Sequence, residues 1–400
     1  MFLKPKLLVT AVCCGLAGAG AQAQANNTWL GSVKVQGAIG LDAWQIENNA
    51  ESKAHERVLF LANSTPQWTE RNPSPWVHLD SELTLSEQWS GRFKFRGAQN
   101  TDWRVDELNL NWEVSPKLGL SAGVVDYKTS WCRPYDVESP WVRENDPFCT
   151  VRTTDQASGA APGIQAYSHV GDSEWTWQSH VGVFDPLVLG YNKTDFGNTT
   201  LKARSKVLEN QKLGAGLSLL HHHSATELRV GLLKTQQYAD WDPYEDDSPL
   251  IRLHQRSTLL FAGLNFHPMP FWSIRFTHVN EQLDGYWLAQ GENRRDRQRR
   301  SLSMEHIFRV NSSNSLALAW SQYQIRVQDE WRFEPTDAWN AWPRDVFDNQ
   351  MVSIVWRKDW SPWLFTAVQA SRAQSDFDFF GLGNAKPSGT GFGLRIGTRF

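Results

Sequence analysis

The chain has 400 residues, a net charge of −3, a hydrophobic share of 40% and a mean hydropathy of −0.49. These values exclude helical membrane spans, because no stretch beyond the first 25 residues approaches the run of about 18 apolar residues that a span needs. They also give no bulk attraction to nucleic acid. The 21 Trp and 20 Phe exceed what an ordinary soluble domain holds, and aromatic belts at two membrane interfaces would explain this excess.

The N-terminal segment is predicted to be a signal peptide. Lys4 and Lys6 precede an apolar run over residues 7–19, and Ala21-Gln22-Ala23 supplies the small residues that a signal peptidase reads. We expect residues 1–23 to be removed, with cleavage after residue 25 as the alternative. Residues 24–400 then form the exported protein.

Segments of alternating polarity follow along the chain. Val77 and Leu79 alternate with His78 and Asp80, and residues 92–96 show the same period of two. A charged side chain on a lipid-facing strand surface costs about 2–4 kcal/mol at the bilayer midplane, so the polar positions are expected to face a wet interior. The last strand, residues 390–400, alternates apolar with glycine or basic residues and ends on Phe400.

Short and long connections between these segments alternate, as they do between the turns and external loops of outer-membrane barrels. The short breaks are residues 89–91, 115–117, 171–173, 221–224, 267–270, 311–314 and 359–362. The long stretches are residues 47–73, 129–160, 185–210, 237–254, 284–299, 328–347 and 375–388, with one further short external break at 100–101. The pattern predicts an all-β fold, a transmembrane antiparallel β-barrel of about sixteen strands. Fourteen or eighteen strands are the alternatives, since residues 196–207 also resemble a strand.

The third external loop, residues 129–160, has the most unusual composition. It contains Cys132 and Cys149, the only cysteines of the exported chain. An exported protein meets an oxidising compartment, so we expect a disulfide, which stabilises by about 3 kcal/mol in the chain-entropy view. The loop also carries the charged residues Arg133, Asp136, Glu138, Arg143, Glu144 and Asp146.

The signal peptide, the strand number, the alternating loop lengths and the aromatic C-terminal strand together resemble the porins of Gram-negative outer membranes. The resemblance implies a water-filled channel for passive diffusion of small hydrophilic solutes, located in the cell outer membrane, with no catalytic residues, cofactor or metal. It also implies contacts with outer-membrane lipid and lipopolysaccharide, and with the barrel-assembly machinery through the strand that ends at Phe400. The very short second external connection leaves a homo-oligomer open.

In porins the third external loop usually enters the lumen, and the resemblance implies that loop 129–160 forms a charged constriction. A rigid external loop is the alternative. Facing it, Arg92, Lys94 and Arg96 form a basic ladder. This ladder either creates an anion preference or is neutralised by carboxylates such as Asp80 and Glu82. Further wall candidates are Arg275, Arg309, Arg357, Arg395 and Arg399.

Two other classes of function are weighed against a pore. An outer-membrane hydrolase acting on lipid or peptide needs an activated nucleophile, yet the chain has no G-x-S-x-G and its histidines are scattered. A non-conducting structural or adhesive barrel is the second alternative. The basic run RRDRQRR, residues 294–300, suits the phosphates of lipopolysaccharide or is simply a solvated external loop.

Overall fold

The computed structural model describes the greater part of the chain. The described residues are 32–48, 74–98, 104–126, 140–142, 160–171, 175–184, 206–223, 225–242, 251–289, 291–332, 334–341, 344–379 and 383–400. The predicted signal peptide and the pair Cys132 and Cys149 lie outside these residues. Within the described ranges, no helix is both long enough and apolar enough to cross a membrane.

The described chain folds into β-strands joined by connections of unequal length. Their bounds are β1 Ser32–Asn48, β2 Ser74–Thr84, β3 Trp89–Ala98, β4 Arg104–Ser115, β5 Leu118–Asp126, β6 Ala160–Gly171, β7 Trp175–Phe184, β8 Lys206–His223, β9 Thr226–Asp242, β10 Ile251–Met269, β11 Trp272–Ala289, β12 Gly291–Asn311, β13 Asn314–Arg332, β14 Asn340–Ala341, β15 Asp345–Asp359, β16 Leu364–Phe379, β17 Gly383–Ala385 and β18 Ser388–Arg399. Strands β14 and β17 are only two and three residues long and lie within external connections.

The sixteen long strands form one closed antiparallel sheet. Each pairs with its neighbours in sequence, and β1 pairs with both β2 and β18, which closes the barrel. Closure leaves no edge strand with unpaired backbone groups, and strands can cross a bilayer only under this condition. The predicted fold class and the strand number of sixteen are therefore confirmed.

The faces of the strands alternate as the sequence predicts. In β18 the outer residues Phe392, Leu394 and Ile396 are 50%, 43% and 45% exposed, whereas Arg395 on the inner face is 1% exposed. Large apolar side chains are likewise exposed along the outer faces of the other long strands, for example Leu108 in β4 and Val352 in β15. The barrel therefore has an apolar outside and a largely polar inside, as a lipid-embedded sheet requires.

Within the described residues, the strands on one side of the barrel are short and those on the other side are long; we call these sides the low wall and the tall wall. Strands β2 to β7 have 9–12 residues, whereas β8 to β13 have 17–21. At about 3.4 Å per residue, the tall strands extend well beyond the apolar band of about 25 Å that a barrel presents to lipid. Exposed charged residues such as Arg256, Asp296 and Arg326 occupy the outer face of this extension.

Several predicted connections were wrong in position. The predicted external loop 284–299 is strand, because β11 continues to Ala289 and β12 begins at Gly291. Both ends of the predicted loop 237–254 are also strand, because β9 continues to Asp242 and β10 begins at Ile251. The turn predicted at residues 89–91 lies at 85–88, and the three histidines 221–223 belong to β8. Of the ambiguous residues 196–207, only the last two are described, as the start of β8.

A buried ion pair and aromatic rings seal the junction between the first and last strands. The Arg395 guanidinium donates two hydrogen bonds of 3.0 Å to the carboxylate of Asp42, which is 0% exposed. The Trp44 ring lies so close to Gly391 and Gly393 that a Cβ atom on either glycine would come within 2.4 Å of the ring. The backbone of Phe400 exchanges two hydrogen bonds of 3.0 Å with Gly37 in β1.

Candidate functional site

The candidate site is the interior of the barrel, where part of the third external loop lies against the wall. Pro140, Trp141 and Val142 are all buried, although residues 127–139 and 143–150 around them are not described. The indole N–H of Trp141 donates a hydrogen bond to Oε1 of Glu305 in β12. The backbone N–H of Val142 donates one of 2.7 Å to Oε1 of Gln369 in β16. Two strands distant in sequence thus hold this segment inside the barrel.

Apolar packing supports the same segment. Trp141 and Val142 join one buried cluster with Trp44 from β1 and with small side chains of neighbouring strands. The small members are Ala317, Ala319, Val355 and Ala367. The loop segment therefore packs against short side chains of β13, β15 and β16. The predicted constriction residues Arg133, Asp136, Glu138, Arg143, Glu144 and Asp146 lie outside the described residues.

The predicted basic ladder on β3 is embedded in carboxylates. Arg92 donates to Asp80 at 3.1 and 3.4 Å, and the Lys94 ammonium lies 2.8 Å from Glu107 and 3.7 Å from Asp80. Glu82 lies 3.8 Å from Arg92, and Arg96 is 4% exposed. These contacts correspond to the second interpretation, in which carboxylates neutralise the ladder.

Most of the other predicted wall arginines also have carboxylate partners. Arg275 lies 3.3 Å from Glu305, the same residue that accepts the hydrogen bond from Trp141. Arg357 lies 3.2 Å from Asp359, which also accepts a hydrogen bond from Arg399. Arg395 forms the closing pair with Asp42 described above, and Arg309 is exposed near the turn that follows β12.

A second set of inward-facing arginines was not predicted from the sequence. The basic run 294–300 lies in β12, so Arg295, Arg297 and Arg299 share the inner face, while Arg294 and Arg300 share the outer face. The signal was present in the sequence, because arginine recurs at every second position from 295 to 299.

The partners of these inner arginines differ. Arg295 donates hydrogen bonds of 2.8 and 2.7 Å to Asp329, and Arg299 lies 3.5 Å from Glu281. Arg297 forms no ion pair with any carboxylate among the described residues, and its cross-strand neighbours are the apolar Leu283 and Val327. Arg297 is therefore an inner-face cation of β12 without a direct carboxylate partner among the described residues, and Glu281 is the carboxylate that interacts with it at longer range.

Comparisons with known proteins agree with the architecture. No protein-family model and no curated protein matches the sequence. Among solved structures, the outer membrane channel DcaP of Acinetobacter baumannii matches at 9% identity with a TM-score of 0.51, covering 92% of this chain and 97% of that one. A loop-deletion mutant of OmpT, an outer membrane protein of Vibrio cholerae, matches at 11% identity with a TM-score of 0.50, covering 92% and 99%. At such low identity the likeness concerns the fold, and the predicted architectural resemblance to outer-membrane porins is confirmed.

Proposed function

We propose that this protein is a diffusion porin of the Gram-negative outer membrane, which passes small hydrophilic solutes through a water-filled lumen without a cofactor. The observation that supports it most is the sixteen-stranded closed barrel with a loop segment anchored inside by Trp141 and Val142. A barrel of this width leaves an aqueous channel unless side chains or loops fill it. An internal loop segment then sets the narrowest point without closing the passage.

The proposal also covers how the protein is exported and what it contacts in the outer membrane. The signal peptide of residues 1–23 directs export, and the oxidising compartment joins Cys132 to Cys149. Exposed outer arginines on the tall wall, such as Arg300 and Arg326, contact the phosphates of lipopolysaccharide. Assembly through the barrel-assembly machinery and association into oligomers belong to the same proposal.

Conductance across a planar lipid bilayer tests the pore directly. Purified, refolded protein is expected to insert and give stepwise increases in current that persist at low voltage. A barrel that inserts without conducting would favour the structural or adhesive alternative. Release of fatty acid or peptide fragments by the same preparation would favour the hydrolase.

We further propose that the pore prefers anions, and that Arg297 contributes more to this preference than the paired Arg92 and Lys94. An uncompensated charge on a low-dielectric wall focuses the field into the channel, whereas a neutralised one does not. Replacing Arg297 with alanine is expected to shift the reversal potential in a salt gradient towards zero. The measurement is best made near 0.1 M salt, where screening acts over about 10 Å.

Matched variants distinguish the effect of losing a charge in the lumen from the effect of losing a charge anywhere on the protein. Arg300→Ala removes the same charge from the outer face of the same strand and is expected to leave the reversal potential unchanged. The charge-neutral double variant Arg92→Ala with Asp80→Asn removes both partners of a neutralised pair, so it is expected to shift the reversal potential less than Arg297→Ala. An equal shift for Arg297→Ala and Arg300→Ala would contradict the assignment to Arg297.

A further inference from the structure

The inner face of the low wall contains a recess that the pore proposal does not use. Strands β3 to β7 line an open-sided cavity of about 420 Å³, within the range of about 300–1,000 Å³ typical of small-molecule sites. Its lining combines side-chain amides, serine hydroxyls, the ring of Tyr167, two imidazoles and a few charges. The amides belong to Asn109, Asn111, Gln165 and Gln178, and Ser121 is the hydroxyl next to them.

Tyr167 provides a flat surface in this recess. Its ring lies over Gly119 of the neighbouring strand, because a Cβ atom at Gly119 would stand 2.2 Å from Cζ and 2.3 Å from Oη of the tyrosine. Only glycine permits this close approach. The ring therefore covers the backbone of Gly119, and Tyr167 also lines the cavity. Its neighbour His180 lies with its ring centroid 6.1 Å away, tilted by 32°.

The amides are arranged as a connected row next to this ring. The Ser121 hydroxyl donates to Oδ1 of Asn111 at 2.5 Å, and Nδ2 of Asn111 donates to Oδ1 of Asn109 at 3.1 Å. Each amide has two N–H donors and an oxygen with two lone pairs, so one such contact does not exhaust it. A row of groups that both donate and accept matches hydroxyl groups, which do the same.

The charges of the recess are largely balanced. The basic side chains Arg92 and Lys117 line it together with the acidic Glu107, Glu113 and Asp126, and Arg92 is paired with Asp80 and Glu107. Such a lining has no excess of positive charge with which to hold an anion. Its specific features are the flat aromatic face and the neutral polar row.

We propose that this recess binds an uncharged, hydroxyl-rich ring compound, the size of one sugar unit, as it crosses the barrel. The apolar face of the ring compound stacks on Tyr167, and its hydroxyl groups pair with Asn111, Gln165 and Gln178. The inference deepens the proposed function, because it names a solute class for the pore. Affinity is weak, at about millimolar dissociation constants, as a solute that must leave again requires.

The test is the block of ion current by D-glucose in planar bilayers, with glycerol and gluconate as the acyclic neutral probe and the charged probe. Glucose is expected to reduce the current of the wild-type protein at lower concentration than either. Tyr167→Ala is expected to raise the half-blocking concentration about three- to tenfold, while Tyr167→Phe stays within about twofold. Gly119→Ala, which pushes the ring out of place, should resemble Tyr167→Ala.

Controls keep the result interpretable. Gly285→Ala on β11, where an added Cβ meets only ordinary contacts from 3.7 Å, should block like the wild type. If Tyr167→Ala or Gly119→Ala fails to fold, Gln178→Ala replaces it, with an expected loss of block and with Gln374→Ala on the outer face as its control. Equal block by glucose in wild type and in folded Tyr167→Ala would overturn the proposal, as would equal block by glycerol.

Failure of the pore and failure of the recess are distinguishable. A protein that conducts without selective glucose block retains the porin function and loses this site. A protein that does not conduct is examined by saturation-transfer NMR with glucose in detergent. A signal that is present in wild type and reduced in Tyr167→Ala then supports the recess alone, and no signal rejects it.

Discussion

Replacing Arg395 with alanine is expected to lower the free energy of unfolding of the barrel by about 3–5 kcal/mol, since it leaves the carboxylate of Asp42 buried without its partner. The two side chains are 1% and 0% exposed, and they join the last strand to the first. Arg395 also lies over the ring of Trp76, with Cζ 4.9 Å from the ring centroid, so the truncation removes packing as well as charge. Urea titration in lipid vesicles, followed by tryptophan fluorescence, measures the effect.

The exposed pair of Lys386 and Asp376 is the matched control. Its N···O distance of 2.7 Å is short, but the side chains are 65% and 51% exposed. Lys386→Ala is therefore expected to cost only about 0–1 kcal/mol. A double variant with Asp42→Leu and Arg395→Met should recover much of the loss, because the unpaired buried charge is gone. Equal midpoints for Arg395→Ala and Lys386→Ala would contradict the structural role of the buried pair.

The direction of the strand faces could be predicted because lipid imposes it, and the strand number followed from the alternation of short and long connections. Where the outer face meets the bilayer, as at Phe392 and Leu394, apolar residues must recur at every second position, and the sequence displays that period. Above the bilayer this constraint ends. Residues 294–300 carry charges on both faces of β12, so their composition was typical of a loop, while backbone pairing with β11 and β13 keeps them in the sheet.

The contacts of the candidate site could not be predicted, because they depend on register and on long-range packing. Arg92 and Asp80 meet only because β2 and β3 pair in one particular register, in which Asp80 lies opposite Lys94. Trp141 meets Glu305, 164 positions away in the sequence. A single sequence fixes neither the register nor the path of a loop through the barrel. The inward-facing arginines of β12, by contrast, have a local signal, because arginine recurs at every second position from 295 to 299.

Replacing Trp141 with alanine is expected to raise the single-channel conductance and to broaden its distribution. The indole is 1% exposed and donates to Glu305, so truncation removes a buried aromatic side chain and a hydrogen bond together. Such losses cost about 3–5 kcal/mol, enough to release a short docked segment from the wall. A loop that is no longer held occupies the lumen less uniformly, and the open area grows.

Further variants test separately the hydrogen bonds and the apolar packing that hold segment 140–142, and single-channel conductance measures each effect. Gln369→Ala removes the acceptor of the Val142 N–H and is expected to give a smaller increase than Trp141→Ala, because the apolar packing of Trp141 persists. The control is Trp339→Ala, in the external connection after β13. The Trp339 ring stacks on the guanidinium groups of Arg294 in β12 and Arg332 in β13, whose Cζ atoms lie 4.0 and 4.6 Å from the ring centroid. This variant should conduct like the wild type. If Trp141→Ala also conducts like the wild type, segment 140–142 does not set the width of the pore, and the limiting residues lie elsewhere along the lumen.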